Sequence, residues 1–138
     1  MRRVLGLILL SFLSFSTYGE DIELFTSRSA DTVYSYTIPS SKLAGIPRWN
    51  AQGSPPLSID EAISKATESV KKRHSKFDGF KVFSIDLRMV SWPIKHQDIW
   101  YYHIGFRPSI DGHELIVGHY SSVVLMDSST IEPMIKET

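Results

Sequence analysis

Three histidines, His103, His113 and His119, stand near Asp111 and Glu114 and are the first candidates for chemistry. Imidazole nitrogens and carboxylate oxygens are ligands that zinc accepts, normally in a tetrahedral set. Six residues of straight strand would separate His113 from His119 by about 20 Å, whereas zinc holds its nitrogen ligands at about 2 Å. One arrangement remains, in which His103 approaches His113 or His119 across the sheet and Asp111 completes the set. No known zinc spacing supports it. We therefore predict no metal site and no cofactor.

Serine and histidine side chains of the same region are the types needed for nucleophilic catalysis. The run His119-Tyr120-Ser121-Ser122 supplies a base and two hydroxyls. The sequence lacks the strained Gly-x-Ser-x-Gly turn that exposes a serine nucleophile, and it lacks a glycine-rich phosphate loop. No two acids can be assigned to one cleft, as glycoside hydrolysis requires. The sequence therefore predicts a protein that is not an enzyme.

The remaining candidate chemistry is recognition through an exposed surface. Aromatic and arginine side chains are enriched in protein-binding patches. The candidate partner-binding residues are Trp49, Arg88, Trp92, Tyr101, His103 and Arg107. If one face of the sheet packs on a helix, the strand residues among them share the other face, and the two tryptophans frame it. The alternative interpretation is that these aromatics are buried beneath the long segment at residues 39–56.

A single helix is the best-specified element that would position these residues. Pro55-Pro56 excludes an earlier start, and Ser58-Ile59-Asp60-Glu61 is typical of a capping box. Apolar residues then recur at three- and four-residue spacing. They are Ile59, Ala62, Ile63, Ala66 and Val70. The pattern predicts an amphipathic helix that buries this stripe.

Four runs predict strands, at residues 32–38, 83–89, 98–107 and 115–127, the last with a bend near Gly118. In the second run Phe83, Ile85, Leu87 and Met89 alternate with polar residues, which predicts one dry face and one wet face. Short connections favour antiparallel neighbours, and Asp111-Gly112 predicts a hairpin turn. The predicted fold class is α+β, with one amphipathic helix packed on a four-stranded antiparallel sheet in the order β-α-β-β-β.

Residues 1–19 have the layout of a cleaved secretory signal peptide, with Arg2 and Arg3, an apolar run of about a dozen residues and then small residues. A bilayer core needs about 20 residues, so we predict no membrane span after cleavage and a periplasmic or secreted location. Residues 20–138 form one predicted domain, in which residues 20–56 carry a strand and a proline-rich loop. This domain has no cysteine and 13 basic against 15 acidic residues, which does not favour nucleic-acid binding.

Residues 57–132 carry a family resemblance. Its carriers are Ile59-Asp60-Glu61-Ala62-Ile63, Trp100-Tyr101-Tyr102-His103-Ile104, and the closing valine-rich strand with Asp127 and Thr130. This order resembles the PepSY domain, a small module of exported bacterial proteins and peptidase propeptides. The family usually has a glycine after the threonine, where this chain has Ile131. The helix-on-sheet shape is also similar to the cystatin-type architecture.

The resemblance implies a non-catalytic binding or modulatory module that binds or restrains a peptidase or another protein of the cell envelope. The alternative function is a small-ligand carrier with a pocket between the helix and the sheet. A modulator needs an exposed patch and a carrier needs a lined cavity, so the placement of the aromatic residues distinguishes the two.

Overall fold

The structure is a computed structural model that describes residues 19–116, 118 and 120–138. Within these residues one α-helix, α1 (Ile59–Arg73), accompanies eight strands. The strands are β1 (Asp21–Ser29), β2 (Thr32–Pro39), β3 (Gly79–Met89), β4 (Trp100–Ile110), β5 (His113–Glu114), β6 (Tyr120–Leu125), β7 (Thr130–Ile131) and β8 (Met134–Glu137). The predicted signal peptide at residues 1–19 lies outside the described residues except for Gly19. No helix of the described part has the length and apolar character needed to cross a bilayer.

The strands form two antiparallel sheets. One has three strands in the order β1-β2-β8, and the other has five, in the order β3-β4-β6-β7 with β5 paired to β4. The fold is therefore α+β, but the prediction of one helix on a single four-stranded sheet was wrong. Four strands were missed. β1 is interrupted by a bulge between Glu23 and Phe25, and every residue of β8 is exposed, so neither shows a regular buried face. β5 and β7 have only two residues each, too few to show an alternation.

The five-stranded sheet lies between α1 and the three-stranded sheet. Adjacent residues of a strand point to opposite faces, and two adjacent tyrosines of β4 show what each face contacts. The Tyr102 hydroxyl donates to the Leu57 carbonyl just before α1, at 2.8 Å. The Tyr101 hydroxyl donates to the Leu24 carbonyl of β1, at 2.7 Å. Both faces of β4 are therefore covered, one by the helix and one by the β1–β2 hairpin.

Helix α1 begins as predicted. The Ser58 hydroxyl accepts a hydrogen bond from the Glu61 amide at 3.2 Å, which satisfies one of the free amides of the first turn. Ala62, Ala66 and Val70 are fully buried and form the contact stripe. Ile59, which was expected in the same stripe, is 51% exposed. The stripe that packs on the sheet is therefore narrower than the sequence pattern.

Three further predictions met different outcomes. Residues 32–38 do form a strand, within β2. The strand expected at residues 115–127 is shorter and is regular only in β6, because Gly118 takes a positive φ of 101°. The expected turn forms at Asp111 and Gly112, both at positive φ, between β4 and β5. The segment at residues 39–56 contains a 3-10 helix, Ser40–Gly45, that was not expected.

Candidate functional site

Strand β3 carries more of the exposed large hydrophobic side chains than any other element of the described chain. Of the eleven large hydrophobic side chains that are exposed, six lie between Phe83 and Ile94. Ile85, Leu87 and Met89 are 40%, 36% and 43% exposed, and we call these three residues the β3 row. Single exposed hydrophobic residues are common on protein surfaces, whereas a contiguous set marks an interaction site.

The β3 row is exposed because the helix does not reach it. Ile85 is paired with Ile104, so both point to the helix side of the sheet. Ile104 is fully buried, whereas Ile85, one strand further out, is not. Helix α1 packs mainly over β6, on the opposite side of β4 from β3. The apolar residues from Ile85 to Met89 therefore share one face of the strand, as predicted, but no other element of the described chain covers that face.

Phe83 was expected in the same dry face and lies elsewhere. The β3–β4 register shifts between Val82 and Ser84, which marks a bulge at Phe83. Phe83 lines a cavity with Phe25 and His103 on the hairpin side of the sheet. The bulge therefore separates Phe83 from the β3 row and leaves a regular stretch from Ser84 onward.

The outer edge of β3 is also open. In the described part of the chain β3 pairs with β4 and with no other strand. The Val90 amide donates to the Ile99 carbonyl at 2.9 Å, so the Val90 backbone groups point toward β4. Backbone groups alternate along a strand, so those of Ile85, Leu87 and Met89 point outward. An edge of this kind is a template for pairing with another strand.

The predicted site residue Tyr101 is buried. Its side chain is 2% exposed and lies under β1, to which its hydroxyl is hydrogen-bonded. Burial raises the pKa of the Tyr101 phenol, while the charge of Arg88 acts in the opposite direction. The face proposed for partner binding is therefore covered at Tyr101. The cover is the β1–β2 hairpin and not the segment at residues 39–56 that the alternative interpretation assigned.

Arg88 and His103 lie beside Tyr101 under the same hairpin. The Arg88 guanidinium lies 4.8 Å from the centre of the Phe25 ring, and the His103 ring lies 4.3 Å from the same ring. Asp86 Oδ2 is 3.4 Å from an Arg88 nitrogen and 3.7 Å from His103 Nδ1. The structure thus brings Arg88, Tyr101 and His103 together, as contacts between the sheet and the hairpin.

Arg107 belongs to an exposed ionic cluster at the other end of β3. It donates to Glu114 at 3.2 Å, and Lys81 of β3 lies 3.6 Å from the same carboxylate. The hydrogen bond from Arg107 lowers the pKa of Glu114, and the two positive charges act in the same direction. The Arg107 guanidinium also lies 4.4 Å from the centre of the Phe83 ring. These contacts join β3 to the β4–β5 turn.

The two predicted tryptophans do not frame one surface. Trp49 packs edge-on against Trp100 at 5.1 Å, and the Trp100 indole donates to the Trp49 carbonyl. This contact pins the proline-rich segment to the start of β4. Trp92 is 69% exposed, lies three residues after the end of β3 and lines a shallow cavity with Ile22 of β1. Trp92 therefore lies exposed beside β1, whereas Trp49 holds the fold together.

A cavity of about 200 Å³ lies between the hairpin and the five-stranded sheet, lined among others by Phe25, His103 and Tyr120. It is smaller than the usual 300 to 1,000 Å³ of ligand pockets. Among the described residues no group of three His, Asp or Glu side chains is placed to hold a metal ion. His113 is exposed on β5, and His119 lies outside the described residues.

Comparisons of the chain with protein-family models, with curated proteins and with solved structures find no match. The resemblance to the PepSY domain therefore stays a prediction.

The sequence contained a signal for the β3 row but not for its exposure. The alternation from Phe83 to Met89 identified the strand and its apolar side. Exposure depends on which strand the helix covers, and that is set by the order β3-β4-β6-β7, with β3 outermost. Nothing in the local pattern distinguishes an edge strand from a central one.

Proposed function

We propose that the protein is an exported, non-catalytic binding module that holds another protein of the cell envelope against β3. The observation that carries this proposal is the β3 row, an uncovered apolar face on a strand whose backbone edge is open. An exposed apolar edge promotes aggregation in a protein that leaves it uncovered. A function in which a partner covers it removes this liability.

The partner class follows from recognition chemistry and from the resemblance. An extended segment added to a sheet edge gains backbone hydrogen bonds, and alternate side chains on the sheet face add specificity. The β3 row offers three such side chains. A peptidase or another envelope protein is the partner class that the PepSY-like order implies, and the signal-like residues 1–19 support export.

A small-ligand carrier is the second candidate function. The observation that favours it is the cavity beside Phe25, His103 and Tyr120. Its position differs from the expected pocket between helix and sheet, and its volume suits only a very small molecule. A ligand in this cavity would raise the thermal midpoint of unfolding in proportion to the logarithm of its concentration.

The experiment is capture from an extract of the native cell envelope on the immobilised protein. Leu87→Lys places a charge in the centre of the β3 row, and Ile116→Lys makes the same kind of change at a residue that is 82% exposed outside β3. We expect one envelope protein to bind the parent and Ile116→Lys but not Leu87→Lys, and to bind again as a purified protein. Equal capture by both variants would contradict the proposed surface.

A further inference from the structure

We infer that the strand seated on the edge of β3 is β3 of a second copy of this chain, paired antiparallel about a two-fold axis at Leu87. This inference rests on the proposed function, because it takes β3 as the binding surface: the copy takes the backbone edge, and the β3 rows stay open to the envelope protein. Residues of the copy are given the same numbers.

The backbone fits this register. In a two-fold antiparallel pair, residues whose amide and carbonyl groups point outward must face each other. A centre at Leu87 places Leu87 opposite its own copy and Ile85 opposite Met89 of the copy. All three residues direct their backbone groups away from β4, as the Val90 hydrogen bond fixes. The pair would form about six backbone hydrogen bonds, two for each of three facing pairs.

The charges fit the same register. With Leu87 at the centre, Asp86 lies opposite Arg88 of the copy, and Arg88 lies opposite Asp86 of the copy. Both side chains are accessible, with 47% and 40% of their surface exposed. Opposite charges that face each other across two strands stabilise the pair, and facing like charges destabilise it. The two-fold axis makes this favourable contact twice.

Neighbouring registers lose this match. A two-fold axis at Asp86 places the two Asp86 carboxylates opposite each other. An axis at Arg88 places the two Arg88 guanidinium groups opposite each other. A centre at Ile85 places Asp86 opposite Ser84, Arg88 opposite Val82, and Leu87 opposite the bulged Phe83. Register is specified where only one alignment satisfies the side chains. Among the four centres from Ile85 to Arg88, only Leu87 therefore gives this match.

The ends of β3 limit the length of this pairing. The bulge at Phe83 and the exposed Lys81 are devices that protect sheet edges, and Pro93 follows on the other side. The stretch between them, residues 84–90, has neither lysine nor proline. About six residues from each copy is well below the 20 to 30 of a standard interface. We therefore expect a weak, reversible dimer.

Pairing would enlarge the surface assigned to the partner protein. The edges join through backbone groups, so the two β3 rows lie side by side on the helix side of one continuous sheet. Ile85, Leu87 and Met89 of both copies form a strip of six apolar side chains. The dimer is thus the form that presents the larger apolar surface to an envelope protein.

The test is sedimentation velocity over concentrations from micromolar to about millimolar, on protein purified from cells that express the full chain. Asp86→Arg places two guanidinium groups opposite each other at both positions, and Arg88→Asp places two carboxylates there. Each variant alone should dimerise at least about tenfold more weakly, since two favourable pairs become unfavourable. A mixture of the two variants restores opposite charges at both positions and should form a heterodimer.

Circular dichroism of each variant shows whether it is folded. Leu87→Lys is the second variant, because it places two lysines on the two-fold axis without disturbing Asp86 or Arg88, and Ile116→Lys is its control. A parent that stays monomeric at about 1 mM, a dimer that Leu87→Lys leaves intact, or a mixture that does not associate would each overturn the inference. If the parent is monomeric but Leu87→Lys still loses capture of the envelope protein, only the self-pairing is overturned. If the parent dimerises but captures no envelope protein, the proposed function is overturned.

Discussion

Strands β3 and β4 are neighbours of equal length, 11 residues each, and they differ in what covers them. β4 is enclosed between α1 and the β1–β2 hairpin, with Tyr102 and Tyr101 bonded to the two covering layers. The hairpin side of β3 is partly covered, with Arg88 against Phe25 of β1, and its helix side carries the exposed β3 row. An apolar alternation therefore predicts which face of a strand is apolar, whereas the burial of that face depends on the position of the strand in the sheet.

The directly paired residues Ile85 of β3 and Ile104 of β4 allow the most direct comparison of an exposed with a buried side chain. Ile104→Ala removes a fully buried side chain and should lower the free energy of unfolding by about 2 to 5 kcal/mol, because transfer energy is lost and a cavity remains. Ile85→Ala removes the same atoms from a 40% exposed site and should cost about 1 kcal/mol or less. Denaturant unfolding of both variants measures the difference. Similar losses at the two positions would mean that β3 is covered in solution.

The hydroxyl groups of Tyr101 and Tyr102 test the two covers of β4 separately. Each donates to a backbone carbonyl of a covering layer, so each tyrosine-to-phenylalanine change should cost about 1 to 2 kcal/mol. The two contacts lie on opposite faces, so the losses should add in the double variant. Equilibrium unfolding in urea provides the values. A loss at one position only would show that one of the two layers is not packed as described.

The hairpin side of β3 is held by weaker contacts. Arg88 is 40% exposed and its guanidinium lies over the Phe25 ring, which for a partly exposed pair contributes about 0.5 to 1 kcal/mol. Arg88→Lys keeps the charge and loses the planar stacking, so it should recover part of the loss seen in Arg88→Gln. A double-mutant cycle with Phe25→Leu isolates the pair. A coupling energy of zero would show that the ring contact is not maintained in solution.

Local signals explain which features the sequence could predict. The helix start at Ser58 depends on a hydrogen bond to Glu61 three residues away, and the turn at Asp111 and Gly112 depends on adjacent residues that accept positive φ. Both formed as predicted. The strand predicted at residues 83–89 lies within β3, and the one predicted at residues 98–107 overlaps β4 from Trp100 onward, because the alternation of each is visible within one run.

Long-range packing explains what the sequence could not predict. Tyr101 was assigned to an exposed face, but the β1–β2 hairpin from the other end of the chain covers it. β1 itself was missed, since its bulge breaks the alternation after Glu23. Because the β1–β2 hairpin covers Tyr101, the candidate site lies on the helix face of the sheet and not on the predicted hairpin face. Chain topology decides which layer covers each strand, and a short stretch of sequence carries no information about it.

The smallest expected effect concerns the ionic cluster that joins β3 to the β4–β5 turn. Arg107 and Lys81 lower the pKa of Glu114 below its ordinary value of 4.5 in the folded protein. A carboxyl group with a lowered folded pKa binds fewer protons when folded, so its contribution to stability is present above pH 4.5 and is lost as the pH falls through the folded pKa. Glu114 is exposed, so the contribution is small and decreases with salt.

Glu114→Gln removes this contribution at every pH. The parent should therefore unfold at a slightly higher temperature than the variant near pH 6, and the two midpoints should converge as the pH falls below 4.5. High salt should reduce the difference at pH 6, because it screens Arg107 and Lys81 from the carboxylate. A difference that persists at low pH would assign the role of Glu114 to packing. In that case β3 and β4 would be joined at this end by apolar contact, as between Phe80 and Phe106 at 6.1 Å, and the contrast between the two strands would be confined to the β3 row.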